Sequence, residues 1–398
     1  MSNNSASYML GSDHVLLRVQ RNALVAGVAA LALCAVGAFV SPQQFFRSYL
    51  VAYLFWFGIA MGSQAILMIY HITGGAWGAV IRRSLESATR TFPLLAVLFV
   101  PIAVGVGSLY EWADPQRVAQ DPLLQHKAPY LNVPFFLGRA VFYFAVWLIL
   151  SRLLNYWSLE QDKTKDSRPL DKMEVISRGG LVAIGLTVTF AAVDWAMSLE
   201  PHWFSTLYGV LIVGGQLLSA MAFMIVIAAA LSSSGPLSNV IQKSQFHDLG
   251  KLMFAYVMLW AYFELSQLII IWSANLTEEI PWYLRRTTGG WQYVVVVEVL
   301  FHFVLPFMIL LSRDIKRNPR RLATVAVALI VACFFDVFWM VTPAFHPEHF
   351  AVHWLDLTAV LGVGGVWLWF FVQQLKHHPL IAVNDPSLPE PEHAHAHA

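Results

Sequence analysis

Cysteine is almost absent from these 398 residues: only Cys34 and Cys333 occur, each in an apolar run and without a CxxC pattern. A self-contained zinc or iron-sulfur centre takes about four ligands and is therefore excluded, leaving two small buried hydrophobes. Charge is scarce as well. Asp, Glu, Lys and Arg make up 12% of the chain, 58% is hydrophobic and the mean hydropathy is +0.59, where a soluble domain carries roughly 25% charged residues. No polar segment is long enough to build a soluble domain. A net charge of +1 without clustered Lys and Arg excludes nucleic-acid binding. Paired histidines on facing helices, which a membrane haem needs, are missing too, because only His302 lies well inside an apolar run.

What is present is a series of apolar runs, each long enough to cross a hydrocarbon core of roughly 30 Å. They fall at 22–40, 48–71, 91–110, 134–156, 178–198, 204–231, 249–272, 291–312, 322–341 and 354–375. The sequence thus predicts an all-α polytopic membrane protein of about ten transmembrane helices. Most of the 25 Lys and Arg lie in segments on the side of the termini, while the opposite loops hold Arg47, Arg117, Lys127, Arg285 and Arg286. Positive charge is retained in the cytoplasm, so both termini are expected there. Residues 1–21 read as a polar tail ahead of an uncleaved first helix, 22–375 as one membrane domain, and 376–398 as a disordered His-rich tail ending in His393, His395 and His397. Trp112, Trp203, Trp272, Trp282, Trp291 and Trp354 fall near the run ends opposite the termini and are expected to form an interfacial aromatic belt.

An ionisable side chain inside a membrane costs several kcal/mol unless it meets a partner or water. The candidates are Arg139, Asp194, Glu264, Glu298, His302 and Asp336, with Asp356 at a boundary. All lie in the half away from the termini, Glu298 roughly 10 Å in at 1.5 Å per residue. The other half offers Gln64, Thr187 and Gln216, with His71 at its edge. That asymmetry reads as a hydrated proton exit away from the termini. Glu298 and His302 are four apart and share a helix face; Glu264 and Gln267 share another. Pro306 removes the donor that the His302 carbonyl would accept, predicting a kink. A proton relay and a set of polar contacts holding helices together both fit these residues, and Asp194 and Asp356 fit helix-end anchors.

Two stretches carry more specific information. VDWAMSLEPHWFSTLYG spans 193–209, and HDLGKLMFAYVMLWAYFELSQLIIIWSANLTEEIPWYLRR spans 247–286, followed by GGW. Both resemble the NrfD-like membrane subunits of alternative complex III, a bacterial quinol:cytochrome c oxidoreductase, most closely the smaller of its two such subunits. The matching residues are Asp194, Trp195, Pro201, His202 and Trp203, then His247, Asp248, Lys251, Gln267, Trp272, Asn275 and Glu279. The resemblance implies two four-helix bundles, from the second to fifth and sixth to ninth helices, in the bacterial inner membrane. It implies as partners a larger NrfD-like paralogue, a multihaem cytochrome c and iron-sulfur subunits. It implies no haem or cluster in this chain, with menaquinone or ubiquinone as the associated cofactor near His202, Gln267 and Trp272, and a proton-conducting role. Asp248, by its position, is expected to cap the seventh helix. A stand-alone proton-coupled transporter and a purely architectural subunit are the competing readings.

Overall fold

The computed structural model describes residues 8–164, 166–233, 237–238 and 240–388. Ten helices among them are long and apolar enough to cross a membrane. They are α1 (Val15–Val40), α2 (Pro42–Thr73), α3 (Arg82–Val104), α4 (Val133–Gln161), α5 (Arg168–Leu199), α6 (Tyr208–Ser232), α7 (Lys243–Ala274), α8 (Trp291–Leu311), α9 (Pro319–Ala344) and α10 (Trp354–Lys376). No strand occurs among the described residues. The chain is thus an all-α, multi-pass membrane protein. Proline at the first or second position opens α2, α4, α5 and α9, where its missing N–H costs nothing.

α2 to α5 form one bundle and α6 to α9 a second, with α1 and α10 paired along the outside. The bundles meet where α2 lies against α6 and α9, and α5 against α6. Between helices in lipid the drive is close packing, which small residues permit. A Cβ on Gly62 would sit 2.0 Å from the Gln216 carbonyl oxygen, so only glycine lets α2 and α6 approach as they do. Gly27 and Gly365 serve the α1–α10 crossing in the same way.

The first and last of the described residues lie together, since Leu380 N–H donates to the Tyr8 carbonyl at 2.9 Å. This shared side is called the terminal face. The expectation of a disordered tail from residue 376 is corrected for 376–388. Leu380, Ile381 and Ala382 are buried, and the Asp385 carboxylate accepts from Arg82 Nη1 at 2.7 Å and from Tyr70 Oη at 2.5 Å. His393, His395 and His397 lie outside the described residues.

Three further expectations change. α3 starts at Arg82 rather than at 91, because Arg82, Arg83 and Glu86 point inward and neutralise one another: Arg82 Nε lies 3.0 Å and Arg83 Nη1 2.7 Å from the Glu86 carboxylate. Arg83 also contacts Asp162, and Arg82 Nη2 donates to Ser158 Oγ at 2.8 Å. The half near the termini is therefore not limited to amides and hydroxyls. Of the tryptophan belt, Trp272 and Trp354 are exposed, but Trp112, Trp203, Trp282 and Trp291 are buried. Trp112 donates to Ser198 and Trp291 to the His346 carbonyl, so these rings pack loops onto helix ends rather than float in headgroups. Finally, α7 begins at Lys243 and is capped by Gln242 with Gln245; Asp248 lies inside the helix and pairs with Lys251 at 3.0 Å. Asp356 does anchor its helix, accepting from the His353 N–H in a capping box and from Ser48 Oγ.

The docked tail carries a pH prediction. His378 follows α10, and burial, aided by Arg90 and Arg83 and opposed by Glu86, lowers its imidazole from 6.5 to about 4. A histidine depressed in the docked state contributes docking free energy that is complete above 6.5 and is lost as pH falls toward 4. Protease cleavage within 377–388 should therefore accelerate when pH drops from 7 to 5, and His378→Gln should flatten that dependence. A cleavage rate independent of pH in the unmodified protein would contradict it.

Candidate functional site

The six intramembrane candidates separate into a closed pair, an open cluster of three, and Glu264 beside that cluster. Arg139 on α4 grips Asp194 on α5 with two parallel bonds, Nε to Oδ2 and Nη2 to Oδ1, both 2.8 Å. Tyr143 donates to the same carboxylate at 2.8 Å, and Arg139 Nη1 donates to the Tyr130 carbonyl at 2.9 Å. The guanidinium also lies over the Tyr130 and Phe135 rings at 3.8 and 4.3 Å. Every strong bonding direction of the pair is used, which suits an anchor between α4 and α5.

Glu298, His302 and Asp336 form the open cluster. Their buried side chains offer ligating atoms that all lie within 4.8 Å of one another. α8 brings Glu298 and His302 to one face, and α9 supplies Asp336. The predicted kink at Pro306 takes a specific form: Val299–Val304 is a π-helical turn. In that geometry a carbonyl bonds five residues on rather than four. His302 Nδ1 stands 3.9 Å from Glu298 Oε1, too far for a direct bond. Glu298 and Asp336 approach each other within the cluster, and two carboxyls held side by side away from water can hydrogen-bond only through a shared proton. Glu298 Oε1, His302 Nδ1 and Asp336 Oδ1 are all buried without a protein hydrogen-bond partner.

Two further side chains frame this cluster: Trp260, which the sequence reading did not single out, and Cys333, which it read as a small buried hydrophobe. Trp260 on α7 stacks on His302 with ring centroids 3.8 Å apart and donates its Nε1–H to Asp336 Oδ2 at 3.2 Å. Cys333 Sγ lies 3.5 Å from His302 Nε2, so this thiol is a neighbour of the histidine and not merely core filler. The signal for Trp260 was its spacing: Trp260, Glu264 and Gln267 recur at i, i+4 and i+7, one face of α7. Glu264 on that face is within electrostatic range of Asp336 and Glu298, and its Oε1 has no protein partner.

Asp336 also borders a cavity of about 40 Å³ at the contact between the bundles, lined by Phe57, Trp195, Gln216, Ser219 and Met340 among others. At 10–15 Å³ each, about three waters fit. The residues named for a quinone differ in their settings. Gln267 is buried and accepts from Ser205 at 3.0 Å, Trp272 is 78% exposed, and His202 pairs with Asp121 at 2.7 Å on an exposed loop. The open cleft between α3 and α4, bordered by Phe99, Leu137, Val141 and Phe144, is lined only by apolar side chains and offers no side-chain donor to a quinone carbonyl.

Beyond the cluster, Arg286 locks the end opposite the terminal face. Its Nη2 donates to Glu200 Oε1 and to the Met340 carbonyl, both at 2.7 Å, and its guanidinium lies 3.8 Å over the Trp282 ring. Burial lowers the Arg286 guanidinium below its usual range, and Glu200 opposes that. The site and fold define a multi-pass helical membrane protein with a buried acid–imidazole cluster. No family model matches the chain and no curated protein matches it.

The closed pair gives a stability prediction. Arg139→Ala leaves the Asp194 charge buried with only Tyr143, so unfolding in detergent should become easier by about 3–5 kcal/mol. Arg139→Ala combined with Asp194→Ala should cost less than the two single losses added together. Additive losses in a thermal-melt cycle would show that the two side chains do not act as a pair.

Proposed function

We propose that this chain is a proton-conducting, redox-inert membrane subunit of a respiratory quinol:electron-acceptor oxidoreductase of the alternative complex III kind. The carrying observation is the Glu298, His302 and Asp336 cluster beside a water-sized cavity, with a polar atom of each residue left without a protein partner. Groups of this sort inside a bilayer are costly to keep and suit proton transfer through short hops between carboxyl, imidazole and water. Glu264 extends the set toward α7. The saturated Arg139–Asp194 pair is assigned to anchoring rather than to the relay.

The respiratory setting rests on the resemblance of 193–209 and 247–286 to NrfD-like subunits. In it, the chain sits in the bacterial inner membrane with both termini cytoplasmic, in keeping with the distribution of Lys and Arg. The larger NrfD-like paralogue, a multihaem cytochrome c and iron-sulfur subunits are its partners. Menaquinol or ubiquinol is the complex's electron donor. The engagement of His202 with Asp121 and of Gln267 with Ser205 favours quinol oxidation in the paralogue and proton handling here.

Purification in mild detergent, with a haem spectrum and a quinol-oxidation assay, tests the setting. Co-purifying c-type haem with quinol oxidation is expected, whereas a colourless single species would replace the reading with a stand-alone proton-coupled transporter. In proteoliposomes, Asp336→Asn should lower proton release per quinol at least severalfold while the haem content stays constant. Unchanged stoichiometry in Asp336→Asn and in Glu298→Gln would leave an architectural subunit.

A further inference from the structure

We infer that Glu298, His302 and Asp336 form a binding site for a divalent cation of the zinc type, built on two carboxylates and an imidazole and so correcting the exclusion of zinc that was drawn from the scarcity of cysteine. The inference does not depend on proton conduction. Three observations combine. The donor set is two carboxylates and one imidazole, a combination that zinc accepts and that magnesium and calcium, which prefer oxygen alone, do not favour. The free atoms converge: Glu298 Oε1, His302 Nδ1 and Asp336 Oδ1 lack protein partners, and their side chains are more than nine-tenths buried. The surrounding shell holds both first ligands in place, because Trp260 stacks on the imidazole and donates to Asp336 Oδ2.

Charge and tautomer support the assignment. In a low-dielectric interior two ionised carboxylates and a neutral imidazole cancel the charge of one divalent ion. Cys333 Sγ, 3.5 Å from His302 Nε2, can accept its proton in a hydrogen bond, which leaves the Nδ1 lone pair facing Glu298. A tetrahedral shell at about 2.0 Å places ligand atoms roughly 3.3 Å apart, against the 3.9 Å between Nδ1 and Glu298 Oε1. Rotation of the Glu298 side chain can supply that closure. The cavity at Asp336 leaves room for a water as the fourth ligand. Metal binding requires both carboxyls deprotonated, so acid must compete with the metal.

The probe is Zn2+ itself, added to the purified full-length protein carrying His393→Ser, His395→Ser and His397→Ser to remove the tail histidines. After desalting, elemental analysis should find one zinc per chain that is lost in Glu298→Gln and in Asp336→Asn, and retained in His202→Gln. X-ray absorption at the zinc edge should show nitrogen and oxygen near 2.0 Å with an imidazole pattern, and the metal should be released on acidification. Excess Mg2+ should not displace it. Zinc content unchanged by both substitutions, no stoichiometric zinc in the parent protein, or a sulfur shell near 2.3 Å would overturn the assignment. The absorption spectrum needs no variant, so it decides the matter even if the substituted chains fail to fold.

Discussion

A polar group inside a lipid-spanning bundle has no bulk water to turn to, and every buried charge in this chain is arranged around that constraint. Three arrangements result. Near the terminal face, Arg82, Arg83, Glu86, Asp162 and Asp385 neutralise one another, and the docked C-terminal segment supplies one of the carboxylates. At the opposite end, Arg286 and Glu200 tie the loop before α8 to the turn after α5, while Arg139 and Asp194 close the first bundle. Between them, Glu298, His302 and Asp336 each leave a polar atom without a protein partner, and Asp336 adjoins a cavity.

The two bundles make this contrast informative. Asp194 lies on the last helix of the first bundle and Asp336 on the last helix of the second, and each is followed at the same spacing by a proline, Pro201 and Pro343. Each of those helices also closes with a 3-10 turn, Met197–Leu199 or Thr342–Ala344. In the first bundle the preceding helix answers the aspartate with a guanidinium that satisfies it twice. In the second, α8 presents Glu298 just before a π-helical turn and His302 within it, in place of a guanidinium. One position thus serves as a lock in one bundle and as an exchangeable site in the other.

Much of the fold was legible because a bilayer simplifies the code: long apolar runs gave ten spans, and the boundaries held to within a turn or two for most of them. The pairing of Glu298 with His302 was legible from their spacing. What failed did so for a physical reason. Hydropathy treats Arg82, Arg83 and Glu86 as loop residues, yet opposite charges on successive turns neutralise one another and enter the core. The docking of Asp385 depends on a partner 303 residues away, which no local pattern encodes. Four tryptophans at helix ends were read as lipid-facing because position along the chain does not reveal which way a ring turns. The separation of Arg139 and Asp194 from the other acidic groups is likewise a matter of helix packing.

Infrared difference spectroscopy of the purified protein through a pH jump reads directly whether Glu298 and Asp336 hold a proton between them. A carbonyl stretch of a protonated carboxyl should appear, shift in D2O, and disappear in Glu298→Gln and Asp336→Asn while persisting in Arg139→Lys. A spectrum without such a band, or with a band indifferent to both substitutions, would contradict the assignment of these residues as the proton-handling site.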